Sequence, residues 1–224
     1  MSFYQRHLPH YQPIGYAYFV TTRLSGTIPK HLYDKYKDEY VAKLKNISEL
    51  KSLKEKTKLY HKLNKEHFLE MEKILDSCSY GNVWLGNKKV AEIIKKTFHF
   101  YDDKRYNLIC YTIMPNHIHL IFFPLIESYN NFLQVHIKKK KTEDTFYFVT
   151  KIIQDIKKYS AKESNKILKR SGKFWQSESY DHVIRNKTEL LSTVEYVLNN
   201  PVKAGLCENR EDWKWNFYNP KFLA

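Results

Sequence analysis

The sequence predicts an α+β domain: a mainly antiparallel sheet with helices packed on it. Three observations carry that expectation. Short runs rich in Tyr, Phe, Val and Ile recur as strand candidates. Two of them, "YNLICYTIMP" and "HIHLIFFP", are separated only by the turn residues Pro115 and Asn116, as in an antiparallel hairpin. Segments of helical period fall between the other strands, in the order β, insertion, α, β, β, α, β, α. The 224 residues suffice for one sizeable core, so residues 1–224 are taken as a single domain with an insertion at about 31–76.

In chain order, "YAYFVTTRL" is a first strand that ends in the turn-like "SGTIP". From His31 to about Asp76 the chain is lysine-rich, lacks Gly and Pro, and is apolar at helical spacings, which predicts two helices broken near "KNIS". Such a pair is either a solvated hairpin or a further DNA-contacting arm. "NKKVAEIIKKTFHFYDD" is an amphipathic helix with Val90, Ile93, Ile94 and Phe98 on one face. After the hairpin, "NNFLQVHIKKKKTEDT" is expected as a polar, basic connection, and "TKIIQDIKKYSAKESNKILKR" as another helix. "GKFWQSESYDHVIRN" is expected as a strand. "KTELLSTVEYVLNN" is a helix with an Asn186–Glu189 capping box, stopped by Pro201. No internal repeat is visible.

Composition narrows the function classes. With 38 Lys and Arg against 24 Asp and Glu, the net charge is +14, which favours a polyanionic partner, nucleic acid foremost. Eighteen Tyr, 13 Phe and 4 Trp suit stacking on unpaired bases, although most such rings in any domain are core. The three cysteines, Cys78, Cys110 and Cys207, have neither disulfide-framework nor zinc-knuckle spacing. No signal pattern and no run of membrane-spanning length is present, so a reducing, cytoplasmic setting without membrane is the expectation.

The chemistry-bearing feature is "MPNHIHLIFFP". Residues i and i+2 of a strand share a face, so His117 and His119 project together while Ile118 and Leu120 point the other way. Neutral imidazole is the commonest metal ligand, and two side by side can share one divalent cation. A lone histidine in a strand is most often a satisfied core residue, but a His-apolar-His pair directly after a turn favours a functional site. Histidine-triad nucleotide hydrolases need a third histidine two residues on, where this chain has Ile121. The other chemistry of this appearance is that of the His-hydrophobic-His (HUH) single-strand endonucleases. Asn116 either orients a histidine or completes the turn, and the turn is the simpler reading. Trp175 reads as core.

In "ELLSTVEYVLNNP", Leu190, Val194, Val197 and Leu198 form the packing stripe, and Tyr196 and Asn200, four apart, lie together on a neighbouring face. An amide oxygen there can complete a two-His-plus-oxygen metal site, and a nearby cation favours phenolate over a phenol of ordinary pKa about 10.

Together, "YNLICYTIMPNHIHLIFFP", "GKFWQSESYDHVIRN" and "EYVLNNPVKAGL" resemble the three signature blocks of the REP-associated tyrosine transposases, relatives of the single-strand transposases of small insertion sequences. The similarity runs from about Tyr16 to Leu206. The resemblance implies a ferredoxin-like or RRM-like sheet, His117 and His119 as metal ligands, Asn200 as a third ligand, and Tyr196 as nucleophile. It further implies Mg²⁺ or Mn²⁺ as cofactor, a 5′-phosphotyrosine intermediate, single-stranded or hairpin DNA as partner, and a bacterial protein at the nucleoid when DNA-bound. A monomer or homodimer is compatible with it. Candidate phosphate contacts are Lys30, Lys138, Lys139, Lys140, Lys141, Arg185 and Lys203. Two other readings stay open. One is a non-catalytic hairpin-binding protein on the same scaffold; the other is a small-nucleotide hydrolase indifferent to Tyr196.

Overall fold

Alternation of side chains along three long strands decides how this chain is layered. In β3 (Ala17–Arg23), Tyr18 and Val20 enter one apolar cluster, whereas Ala17 and Phe19 enter another on the opposite face. In β5 (His117–Pro124), Ile118, Leu120 and Phe122 join the first cluster and Ile121 joins the second. In β4 (Tyr106–Ile113) the register shifts between Leu108 and Cys110. Consecutive Ile109 and Cys110 both enter the second cluster, as a bulge allows.

The structure, a computed structural model, describes the backbone of residues 3–5, 9–138 and 147–222 and their side chains other than those of 3–5, 9–11, 61 and 136–138. With β6 (Tyr180–Ile184) and β7 (Asn216–Tyr218), the strands form a five-stranded sheet in the order β6-β3-β5-β4-β7, every pair antiparallel. The four strands β3 to β6 give the split β-α-β-β-α-β arrangement of ferredoxin-like domains, as expected. Strand β7, and a separate hairpin of β1 (Phe3–Gln5) with β2 (Pro9–Tyr11), were not legible in the sequence because each is only three residues long.

Helices α3 (Lys88–Tyr101) and α5 (Phe148–Ile167) cover the first face, burying Val90, Ile94 and Phe98 and, from α5, Ile152 and Ile156. The second face is covered by α2 (Leu53–Asp76) and α6 (Lys187–Lys203), through Phe68 and through Val194, Val197 and Leu198. Helix α1 (Lys30–Ser48) pairs with α2, so the insertion is a helical hairpin broken after "KNIS", close to the predicted break. It is not simply a solvated hairpin, because α2 roofs the histidine-bearing face.

Four local expectations are corrected. The expected polar connection begins as a helix, α4 (Ile126–Lys138), because Tyr129 and Phe132 rest on Phe148 with centroids 5.7 and 5.4 Å away. The first half of "GKFWQSESYDHVIRN" is a loop with a single bridge, Leu24 to Trp175. Phe174 and Trp175 there are core, and Trp175 Nε1 donates to Ser160 Oγ at 2.9 Å. Helix α6 continues past Pro201 to Lys203: a proline removes one intrahelical donor, and the last turn closes through Ala204 N to Asn200 O at 3.0 Å. At its start, Asn186 caps Glu189 N at 2.8 Å, but the Glu189 carboxylate turns to Arg185 N and His182 instead of completing a capping box. Among the described residues no helix is long and apolar enough to cross a membrane, and the three cysteines are free.

The two ends of the insertion meet at a pair of glycines. Gly81 has φ +72°, and a Cβ placed on it would stand 2.0 Å from the carbonyl oxygen of Gly26. Gly81→Ala is therefore expected to destabilise the protein by about 2–4 kcal/mol, from left-handed strain plus the displaced loop. Equilibrium urea unfolding checks this; a loss under about 0.5 kcal/mol, the range of neutral surface changes, contradicts the close approach.

Candidate active site

Cross-strand register places the histidines. Thr21 and Arg23 of β3 stand opposite His119 and His117 of β5; the two histidines project together, as predicted, and both are fully buried on the second face. Asn116 precedes the strand and donates from Nδ2 to Leu75 O at 2.9 Å, which turns its Oδ1 toward His117 Nδ1 at 2.6 Å. An amide oxygen accepts only, so His117 carries its proton on Nδ1 and leaves Nε2 as a bare lone pair. Asn116 thus orients the histidine, the reading that the sequence alone placed second. His119 Nδ1 is engaged by Thr21 Oγ1 at 2.8 Å, and its Nε2 also faces inward, 3.2 Å from His117 Nε2.

Two carboxylates reach this point from α2. Glu72 Oε2 lies 3.0 Å from His119 Nε2, and Asp76 Oδ1 lies 3.9 Å from His117 Nε2. Sequence reasoning missed both. Their signal was the spacing Phe68, Glu72, Leu75, Asp76, in which acids occupy positions of an apolar helical stripe. Glu72, His117 and His119 each offer a ligand atom, all within 4.8 Å of one another.

From α6, Tyr196 donates its hydroxyl to Glu72 Oε2 at 2.7 Å, and its ring centroid is 5.7 Å from that of His119. Asn200, one turn on, is fully buried, and its amide faces both His117 and Asp76 without a hydrogen bond of good geometry to either. A buried amide, two imidazoles and a carboxylate gathered at one point, with Glu72, His117 and His119 able to turn ligand atoms inward, could hold a cation. The four residues expected at the site, His117, His119, Tyr196 and Asn200, therefore converge within one chain. Of the basic candidates, Lys203 lies over the Tyr196 ring at 4.7 Å, and Lys30 is exposed at the start of α1. Arg185 follows the Ala17–Ile184 pair, at the end of β3 away from Arg23 and His117. Lys139, Lys140 and Lys141 lie outside the described residues, as does the side chain of Lys138.

Burial sets the electrostatics. It pushes His117 down to about 3, helped by the His119 imidazole, so His117 stays neutral. Burial alone raises Glu72, but the imidazoles of His119 and His117 and the Tyr196 hydroxyl outweigh it and hold the carboxyl below its ordinary value. Burial and the Glu72 charge raise the Tyr196 phenol far above its ordinary value, and burial and Glu72 raise Asp76 to about 6. The site thus gathers two carboxylates around neutral His117, a charge distribution that a bound cation would offset. Beside it opens a cavity of about 460 Å³ between α1, α2, β3 and the loop before β6, and Thr21 and Glu72 line both spaces.

No family model matches the chain. Over 114 residues it is 26% identical to a Haemophilus influenzae protein named "Putative REP-associated tyrosine transposase", covering 51% of this chain. The chain spans 60% of that relative's length. A solved structure of a REP-associated tyrosine transposase bound to a REP hairpin aligns over 96% of this chain and 82% of its own, at 17% identity and a TM-score of 0.44.

A pH dependence follows from Asp76. Its folded pKa, about 6, exceeds the ordinary 3.8, so the folded protein keeps a proton that the unfolded chain releases, and stability falls as pH rises from about 4 to 6. Asp76→Asn should therefore stabilise the metal-free protein at pH 7, by up to about 3 kcal/mol, and have little effect near pH 4. Thermal melts of both proteins at the two pH values test this; equal stability at pH 7 contradicts it.

Proposed function

We propose that this chain is a metal-dependent, single-strand DNA transesterase that works through Tyr196, as in the REP-associated tyrosine transposases it resembles. One observation carries the reading: the Tyr196 hydroxyl and the His119 ring of a single chain converge on one buried carboxylate, Glu72. A nucleophile hydrogen-bonded to a base that is itself held by a third group is the arrangement covalent catalysis requires.

His117, His119 and Glu72, with the Asn200 amide oxygen, would hold the cation, and this mixed nitrogen and oxygen set suits Mn²⁺ as well as Mg²⁺. When bound, the metal supplies charge neutralisation at a phosphodiester. The protein's own part is positional. Asn116 and Thr21 fix the two rings so that both Nε2 atoms face one point, and burial keeps His117 unprotonated. Lys203 lies over the Tyr196 ring, where its ammonium is attracted to the π face and helps to hold the ring in place. In the reaction a bond forms between the Tyr196 oxygen and phosphorus, the bond from phosphorus to the 3′-oxygen breaks, and the phenol proton leaves toward Glu72. The products are a 5′-phosphotyrosine link and a 3′-hydroxyl. Because a phosphodiester is exchanged for a phosphoester of similar energy, rejoining needs no nucleotide, in keeping with a chain that has no P-loop.

The substrate class is single-stranded DNA flanking a hairpin, bound through exposed cations such as Lys30 and Lys203. Closure of the site favours a second reading: His117, His119 and Asn200 are inaccessible beneath α2, as they would remain in a non-catalytic hairpin binder.

Labelled hairpin DNA with single-stranded flanks, incubated with Mn²⁺ and resolved on a denaturing gel, separates the two. A covalent adduct is expected, abolished in Tyr196→Phe; binding without adduct supports the non-catalytic reading. Separately, Asn116→Ala should weaken Mn²⁺ binding about 10–100-fold in calorimetry, because the His117 ring loses its orienting partner. An unchanged affinity removes His117 from the ligand set.

A further inference from the structure

The cavity beside the candidate active site has features that the chemistry above leaves unused. Its volume, about 460 Å³, falls within the usual small-ligand range of about 300–1,000 Å³. Tyr33, Phe68 and Tyr180 line it with flat aromatic surface, and the Phe68 and Tyr180 rings are stacked 4.1 Å apart. Arg23 and Glu178 bring opposite charges to the same space without pairing to each other. Arg23 donates to Thr27 Oγ1 at 3.3 Å, and its guanidinium is 5.7 Å from the Tyr33 ring. Among the described residues it has no carboxylate partner. The loop carrying Glu178 is held from beneath by Lys157, whose Nζ donates to Ser177 O at 3.0 Å and Ser179 Oγ at 3.2 Å.

Aromatic walls with an opposed donor and acceptor are the chemistry that reads a base out of its stack, by π-contact on its faces and hydrogen bonds on its edge. A guanidinium donates to ring nitrogens and carbonyls, and a carboxylate accepts from N–H groups. Thr21 and Glu72 line this cavity and also contact His119, so the cavity adjoins the histidines and Tyr196. We infer that this cavity is a base-specificity subsite: it takes one unpaired base of the single strand, next to the phosphodiester presented to Tyr196. The inference rests on the DNA-transesterase reading, and it makes the α1–α2 insertion, which supplies Tyr33 and Phe68, part of sequence choice.

The test uses full-length Tyr196→Phe protein, which binds without forming adduct, and fluorescein-labelled hairpin DNA with single-stranded flanks. An abasic nucleotide is moved through the flank while affinity is read by fluorescence anisotropy. One position is expected to weaken binding about 10-fold or more, the loss of a stacked base. Adding Tyr33→Ala, at a half-buried helix position, or Arg23→Met should bring that penalty to within about twofold. A flat abasic profile, or a penalty unchanged in both variants, overturns the subsite. That result leaves the adduct assay of wild-type protein to judge the transesterase reading by itself. Absence of any DNA binding overturns both.

Discussion

The Glu72 carboxylate, shared between the Tyr196 hydroxyl and the His119 ring, is the interaction on which the arrangement of this protein depends. An ionised carboxylate with 3% of its surface exposed would be strongly unfavourable without partners. Its partners come from β5 and α6, while the carboxylate belongs to α2, so three elements remote in sequence must dock together before it is compensated. Phe19 reinforces that docking from β3, edge-on to both Phe68 and Tyr196 at 5.6 and 6.0 Å. The same constraint keeps the Tyr196 hydroxyl close to the imidazoles within a single chain, so no exchange of helices between subunits is needed to bring the two together.

Much of this site was legible in the sequence because it follows from short-range periodicity. The i, i+2 rule put His117 and His119 on one face, and the i, i+4 rule put Tyr196 beside Asn200; both depend only on neighbouring backbone geometry. Glu72 and Asp76 were hidden for the opposite reason. Their helix is rich in lysine, which directs attention to its solvated face, and nothing local tells which face will meet a sheet 45 residues further along the chain. Asn116 was misjudged in the same way: its turn role is local, but its grip on His117 depends on Leu75, a tertiary partner.

The fold shows a similar division. Long alternating strands and amphipathic helices were predictable, because burying one face is what stabilises them. "GKFWQSESYDHVIRN" misled because a β-rich composition describes a buried loop as well as a strand; here Phe174 and Trp175 fill the core from a segment paired through one bridge. Pro201 misled because a proline ends a helix only where the lost hydrogen bond is needed, and here the turn beyond it still closes. The short β7 carried too little pattern to be seen, yet it covers the edge of β4 that would otherwise be open to pairing with another chain.

The meeting of Gly26 and Gly81 gives the α1–α2 hairpin an unusual freedom in evolution. Because its entry and exit touch, the excursion leaves after β3 and returns ahead of α3 at nearly one point, and its length can change without altering strand order or register. Closing a longer or shorter excursion changes the entropy only logarithmically. The sheet, the histidines and α6 can therefore persist while the hairpin changes in length, as long as Glu72 and Phe68 of α2 keep their contacts. A chain built this way separates the length of the excursion from the pairing of the strands.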